Sequence, residues 1–243
     1  MESSRRAALS AGVLFIVATV TDVIGTQLSS PIVNGSGYLA KLQGNATQVT
    51  AGALLEFIAA GSCAGIAIAL FPVLRKWSVG LAVGSVVFRS IEAAMYSVAA
   101  GALLTVLAVS NEFTSSGLVN RASYQILGDA ILAVRQQTTL AGVMAFTVGA
   151  ILYYYVFYRS QLIPRWLSGW GIVGIVLLMG ASMLALFNHV PMTNYTVLAL
   201  PIAVQEMVLA LWLIFKGFSS PASQPAEAAE RPGVRERVGM VGD

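Results

Sequence analysis

A chain of 243 residues that is 57% hydrophobic and only 10% charged cannot cover itself with a water-facing surface, because soluble domains carry roughly 25% charged residues. Mean hydropathy is +0.77 and net charge only +3, so the placement of the charges matters more than their sum. One cysteine (Cys63) and one histidine (His189) exclude a disulfide framework and imidazole-rich haem, zinc or di-iron centres. No cofactor and no metal is expected.

Six largely apolar stretches are long enough to cross a bilayer, which takes about 20 residues. They lie at about 7–28, 52–74, 77–109, 135–158, 165–187 and 195–216. The first follows a basic "MESSRR", but Asp22 interrupts it and no small-residue cleavage site follows, so it reads as a retained span rather than a signal peptide. The third is longer than one crossing requires. Between the third and fourth, "YQILGDAILAVRQQ" is expected to form a separate short interfacial helix. Trp77, Trp166, Trp170 and the "YYYVFY" run are expected in an aromatic belt at one membrane interface. Gly61-x-x-x-Gly65 and Gly80-x-x-x-Gly84 have the spacing that lets membrane helices approach closely. The segment 219–243, beginning "SSPASQPAEAAE", is expected to be a disordered cytoplasmic tail.

Basic residues mark alternate connections: Arg5 and Arg6, then Arg75 and Lys76, then Arg159 and Arg165, then Lys216. By the positive-inside rule both termini are cytoplasmic. The fold class expected is all-α, a polytopic bundle of six transmembrane helices with N-in/C-in topology.

Asp22, Glu56, Arg89, Glu92 and Glu206 fall inside predicted spans. Each charge at mid-membrane costs at least about 2.5 kcal/mol, so these residues face the bundle interior, pair, or line a wet cavity. At 1.5 Å per residue, Arg89, Glu92, Glu206 and Asp22 lie about 15–22 Å from the inner ends of their spans and could share one layer. Glu56 and Arg135 lie nearer the outer mouth. Ser85, Arg89, Glu92 and Tyr96 follow 4-3-4 spacing, which places them on one helix face. Gln205 precedes Glu206 on the last span, and Glu206 is the expected partner of Arg89. Three carboxylates then meet one permanently charged guanidinium. At least one acid is expected to be neutral, or to face water or a cation, as in a proton or cation relay.

Enzyme signatures are missing. No G-x-S-x-G elbow, H-E-x-x-H zinc helix or P-loop lysine motif occurs, and the tail is too mixed in sign for a nucleic-acid footprint. The expected partners are the lipid bilayer and a small molecule, proton or cation, with no nucleic acid. The functional expectation is a small carrier or ligand-binding membrane protein using Arg89, Glu92 and Glu206. The alternative is an accessory or sensory subunit whose buried charges are structural.

Several segments, in order, carry a resemblance: "AGVLFIVATV", "AGIAIALFPVLRKW", "FRSIEAAMY", "LAVRQQTTLAG", "SQLIPRWLSGWG" and "LPIAVQEMVLALWLIFKGF". Over about residues 5–218 the chain resembles the bacterial membrane family known as domain of unknown function 4386. The resemblance implies a bacterial inner membrane and leaves activity open. The family's characteristic polar positions map onto Arg89, Glu92, Arg135 and Glu206. Asp22 lies outside that pattern, which leaves its place in a shared site open, and it stays among the candidate site residues.

Overall fold

Within hydrocarbon a backbone must satisfy its own hydrogen bonds, which leaves helices as the form for long apolar segments. The computed structural model describes residues 2–115 and 120–219, and the tail beyond Ser219 lies outside the described residues. The described residues form helices α1 (Glu2–Val33), α2 (Tyr38–Gly44), α3 (Ala46–Leu74), α4 (Val79–Ser115), α5 (Arg121–Ser160), α6 (Arg165–Asn188) and α7 (Thr196–Phe215). A 3₁₀ turn, Met192–Tyr195, leads into α7. All but α2 are long and apolar enough to cross a membrane, α7 together with its leading turn, giving six candidate spans.

The predicted interfacial helix does not exist as a separate element. Residues 121–160 form one unbroken helix, in a stretch without proline. Its internal Gly128 makes room for the Tyr38 ring instead of breaking the helix. With 37 and 40 residues, α4 and α5 are on the order of 55–60 Å long at 1.5 Å per residue. A hydrocarbon core is about 30 Å thick, so the α4–α5 hairpin extends past it on one side. There α2 braces the hairpin: Ser110 Oγ donates to the Leu39 carbonyl at 2.7 Å, and the Tyr38 hydroxyl donates to Asp129 at 2.8 Å. Burial, the hydrogen bond to Asp129 and that residue's charge push the Tyr38 hydroxyl well above its ordinary range, so it stays a donor.

Packing runs around a closed ring: α1 on α3, α3 on α4, α4 on α5, α5 on α6, α6 on α7, and α7 back on α1. The last contact is sealed at the end of the ring that carries both termini. Arg5 donates from Nη1 to the Leu213 carbonyl at 3.2 Å and from Nη2 to the Ile214 carbonyl at 2.7 Å. These are carbonyls that the end of α7 leaves without intrahelical partners. Gly12 permits this approach, since a Cβ there would lie 2.8 Å from the Ala210 carbonyl oxygen. We call this end the terminal side and the opposite one the hairpin side.

Close helix crossings use only some of the glycines in the spacing patterns. Gly65 meets Leu14 and Gly84 meets Leu152, but Gly61 and Gly80 face open space. Each of those patterns therefore supplies one contact glycine rather than two. The tightest α1–α3 crossing is at Gly25 and Gly52, each backing on the other's carbonyl oxygen.

The terminal half of the ring is filled with large side chains. Tyr153, Tyr154 and Phe157 are fully buried there with Phe15, Leu70 and Leu74. The "YYYVFY" run is thus split. Tyr155 and Tyr158 are exposed on the outer surface with Trp166, as a belt requires, whereas Tyr153 and Tyr154 plug the bundle.

Candidate functional site

Above that plug a cavity of about 300 Å³ occupies the ring's axis, with side chains from all six long helices around it. Arg89, Glu92 and Tyr96 of α4, Glu206 of α7 and Asp22 of α1 all line it. The 4-3-4 stripe on α4 does face inward, and the four charged residues of the expected layer meet around one space. Two glycines of α5 let α4 approach. A Cβ on Gly149 would press on Arg89, and one on Gly142 would lie 2.5 Å from the Tyr96 ring.

The pairing within the layer differs from expectation. Arg89 is bound to Glu92 on its own helix, with Nη1 2.9 Å from Oε2 and 3.2 Å from Oε1. Its Nε donates to the Cys63 carbonyl at 3.3 Å, and its guanidinium lies 4.8 Å from the Phe146 ring centroid. Both members of the pair are only 2% exposed, so the pair is a desolvated one whose charges hold each other. The i,i+3 spacing wins because the two side chains leave the same face one turn apart, whereas Glu206 must reach from across the cavity. Glu206 instead accepts a hydrogen bond from the Tyr153 hydroxyl at 3.4 Å. Among buried side-chain atoms, Glu92 Oε2 and Ser85 Oγ have no geometrically sound hydrogen bond in the described structure.

Gln205 does not join the site. It is fully buried, accepts from the Tyr154 hydroxyl at 2.5 Å and donates to the Leu167 carbonyl at 3.0 Å. It ties α7 to α5 and α6 inside the plug. Tyr153 and Tyr154 are the residues that sequence reasoning missed. Their position at the interface end of a span suggested a belt, and only the three-dimensional packing separates the inward pair from the outward one.

The outer-mouth candidates form a second unit. Arg135 of α5 grips Glu56 of α3 with both Nη atoms, at 2.7 and 2.8 Å, and its Nη1 also donates to the Ala99 carbonyl of α4 at 2.6 Å. Ser29 of α1 donates to the same carboxylate at 3.4 Å. This fork spans α3, α4 and α5 near the hairpin side, and its fixed two-point geometry is one that a lysine cannot reproduce. Arg135→Lys should therefore destabilise the protein by about 1.5–3 kcal/mol, read as a lower thermal midpoint of the reconstituted protein. An unchanged midpoint would show that the charge alone is sufficient.

Arg135 also lines a wider recess of about 540 Å³ on the hairpin side, with Asn34, Asp129, Gln136, Thr139 and Thr193. One face of α5 links the two spaces: Arg135, Gln136, Thr139 and Leu140 line the recess, and Val143 and Phe146 line the cavity. Among the described residues, no three His, Cys, Asp or Glu side chains gather closely enough to hold a metal ion. The acids surround the cavity without forming a cage.

Six apolar helices packed into a ring around charged side chains define a multi-pass helical membrane protein. The chain belongs to the family described as domain of unknown function (DUF4386), which matches residues 10–217. No curated protein and no solved structure matches the chain.

Proposed function

We propose that this protein is a small carrier or ligand-binding membrane protein whose site is the axial cavity. The observation that carries this reading is the charge balance around that cavity. Arg89 is already held by Glu92, by a carbonyl and by an aromatic face, so it is a poor receptor for a further anion. Glu206 and Asp22 line the same space without a cationic partner within ion-pair distance among the described residues. What the cavity offers is negative charge, and its natural occupant is a proton or another monocation. Access from the hairpin side is supported by the polar recess and the shared α5 face, while the Tyr153–Tyr154–Phe157 plug closes the other side. Glu206 touches that plug through Tyr153, so loading of its carboxylate is felt by the barrier itself.

A hydrophobic carbodiimide, which adds to protonated carboxyls, tests this reading. It should label Glu206 in membranes and be competed by monovalent cations, with no label on Glu56 in its two-point fork. Absence of label from both Glu206 and Asp22 would sink the reading. The closed Arg89–Glu92 and Arg135–Glu56 pairs favour a second one, an accessory or sensory subunit in which all these charges are structural. That reading predicts no labelling at all.

For orientation we propose that the terminal side is cytoplasmic, in a bacterial inner membrane. The support is the concentration of Arg5, Arg6, Arg75, Lys76, Arg159, Arg165 and Lys216 at that end. Tags at either terminus should react with an impermeant reagent only after the membrane is opened. Labelling in intact cells would reverse the orientation.

A further inference from the structure

The cavity has a mouth, and its position is written in the exposure of its lining. Among the lining residues, three are exposed: Asp22 and Val23 of α1, and Ala203 of α7. They flank one seam. On the terminal side α1 and α7 are locked by Arg5 and by the Gly12–Ala210 contact. Further along, each helix makes its close glycine contact with its other neighbour. There α1 turns to α3 through Gly25 and Gly52, and α7 turns to α6 where Gly174 meets Ile202. This lateral opening, separate from the route toward the hairpin-side recess, lies between the helices that close the ring.

This mouth faces lipid. Asp22 is 17 residues from Arg5, and Ala203 is 13 residues from Lys216. At 1.5 Å per residue that places the mouth about 20–25 Å from the charged terminal end, within a hydrocarbon core of about 30 Å. The neighbouring Leu200 and Val204 of α7 are exposed and apolar. A carboxyl held at that depth with no partner is either neutral or has water or a cation beside it.

Resting on the reading of the cavity as a cation site, we propose that it takes the cationic head of a single-tailed amphiphile arriving sideways from the bilayer through the α1–α7 seam. The size fits this division. A cavity of about 300 Å³ is at the lower limit of small-ligand pockets, enough for a head group and too small for a long tail. The tail stays in lipid along Val23, Leu200 and Val204. Asp22 meets the head at the mouth and Glu206 meets it inside, with the Tyr96 ring available as a cation-binding face. An anionic head would meet two unpaired acids and an arginine already in use.

The test is binding of radiolabelled dodecyltrimethylammonium to the full chain in nanodiscs, against tetramethylammonium and dodecanoate. Saturable binding is expected for the tailed cation alone, weakened by about tenfold or more in Asp22→Asn and in Glu206→Gln. Ala203→Trp fills the mouth from a lipid-exposed position and should abolish binding while leaving the thermal midpoint near that of the parent. Tetramethylammonium binding as tightly as the tailed cation, with Ala203→Trp neutral, overturns the lateral route and leaves the cation site standing. Binding of neither cation overturns both. Equal binding of dodecanoate overturns the charge assignment.

Discussion

Arg89→Gln should lower the stability of the protein by about 3–5 kcal/mol, the cost of leaving one member of a buried ion pair behind. Glu92 would then sit 2% exposed with no cation beside it. The double variant Arg89→Gln/Glu92→Gln should recover most of that loss, because no lone buried carboxylate is left behind. Thermal unfolding of both variants in nanodiscs decides the matter. A double variant no more stable than the single one would mean that Arg89 acts through its packing on Phe146 and its bond to the Cys63 carbonyl. The double variant should also keep cation binding, since Glu206 and Asp22 are untouched.

Glu206→Gln should behave in the opposite way, with folding retained and ligand affinity reduced by about ten- to a hundredfold. The amide keeps an oxygen for the Tyr153 hydroxyl, now accepted at 3.4 Å, and removes only the charge and the exchangeable proton. Equilibrium binding and flux in proteoliposomes, alongside a melting curve, separate the two outcomes. Loss of the fold would assign Glu206 to the plug, and unchanged binding would remove it from the site.

Much of the architecture was legible because a membrane leaves few alternatives. Twenty apolar residues must form a helix, and a charge among them must face inward, so the six spans and the Arg89–Glu92–Tyr96 stripe follow from spacing alone. What lies across the bundle was not legible. Glu56 and Arg135 are 79 residues apart, and nothing local to either predicts that they meet in a fork. Gln205 and Glu206 look equivalent as neighbours, yet adjacent helical positions diverge by about 100° at 3.6 residues per turn. Only one of them can face the axis. Matching depths point Arg89 to the distant acid although the near one is already in reach, since depth along a helix says nothing about distance across a cavity.

The locality of that pair has a consequence for how the protein is made. Arg5 finds its carbonyls at Leu213 and Ile214, 208 and 209 residues later. At a synthesis rate of about 5–20 residues per second, the first helix waits on the order of 10–40 s for the last. Throughout that interval α4 must enter the membrane without α7 beside it. A helix carrying a lone arginine would be a poor substrate for insertion, but Arg89 and Glu92 neutralise each other within a single turn. Their pairing needs no other part of the chain, which makes α4 insertable before the ring that later encloses it exists.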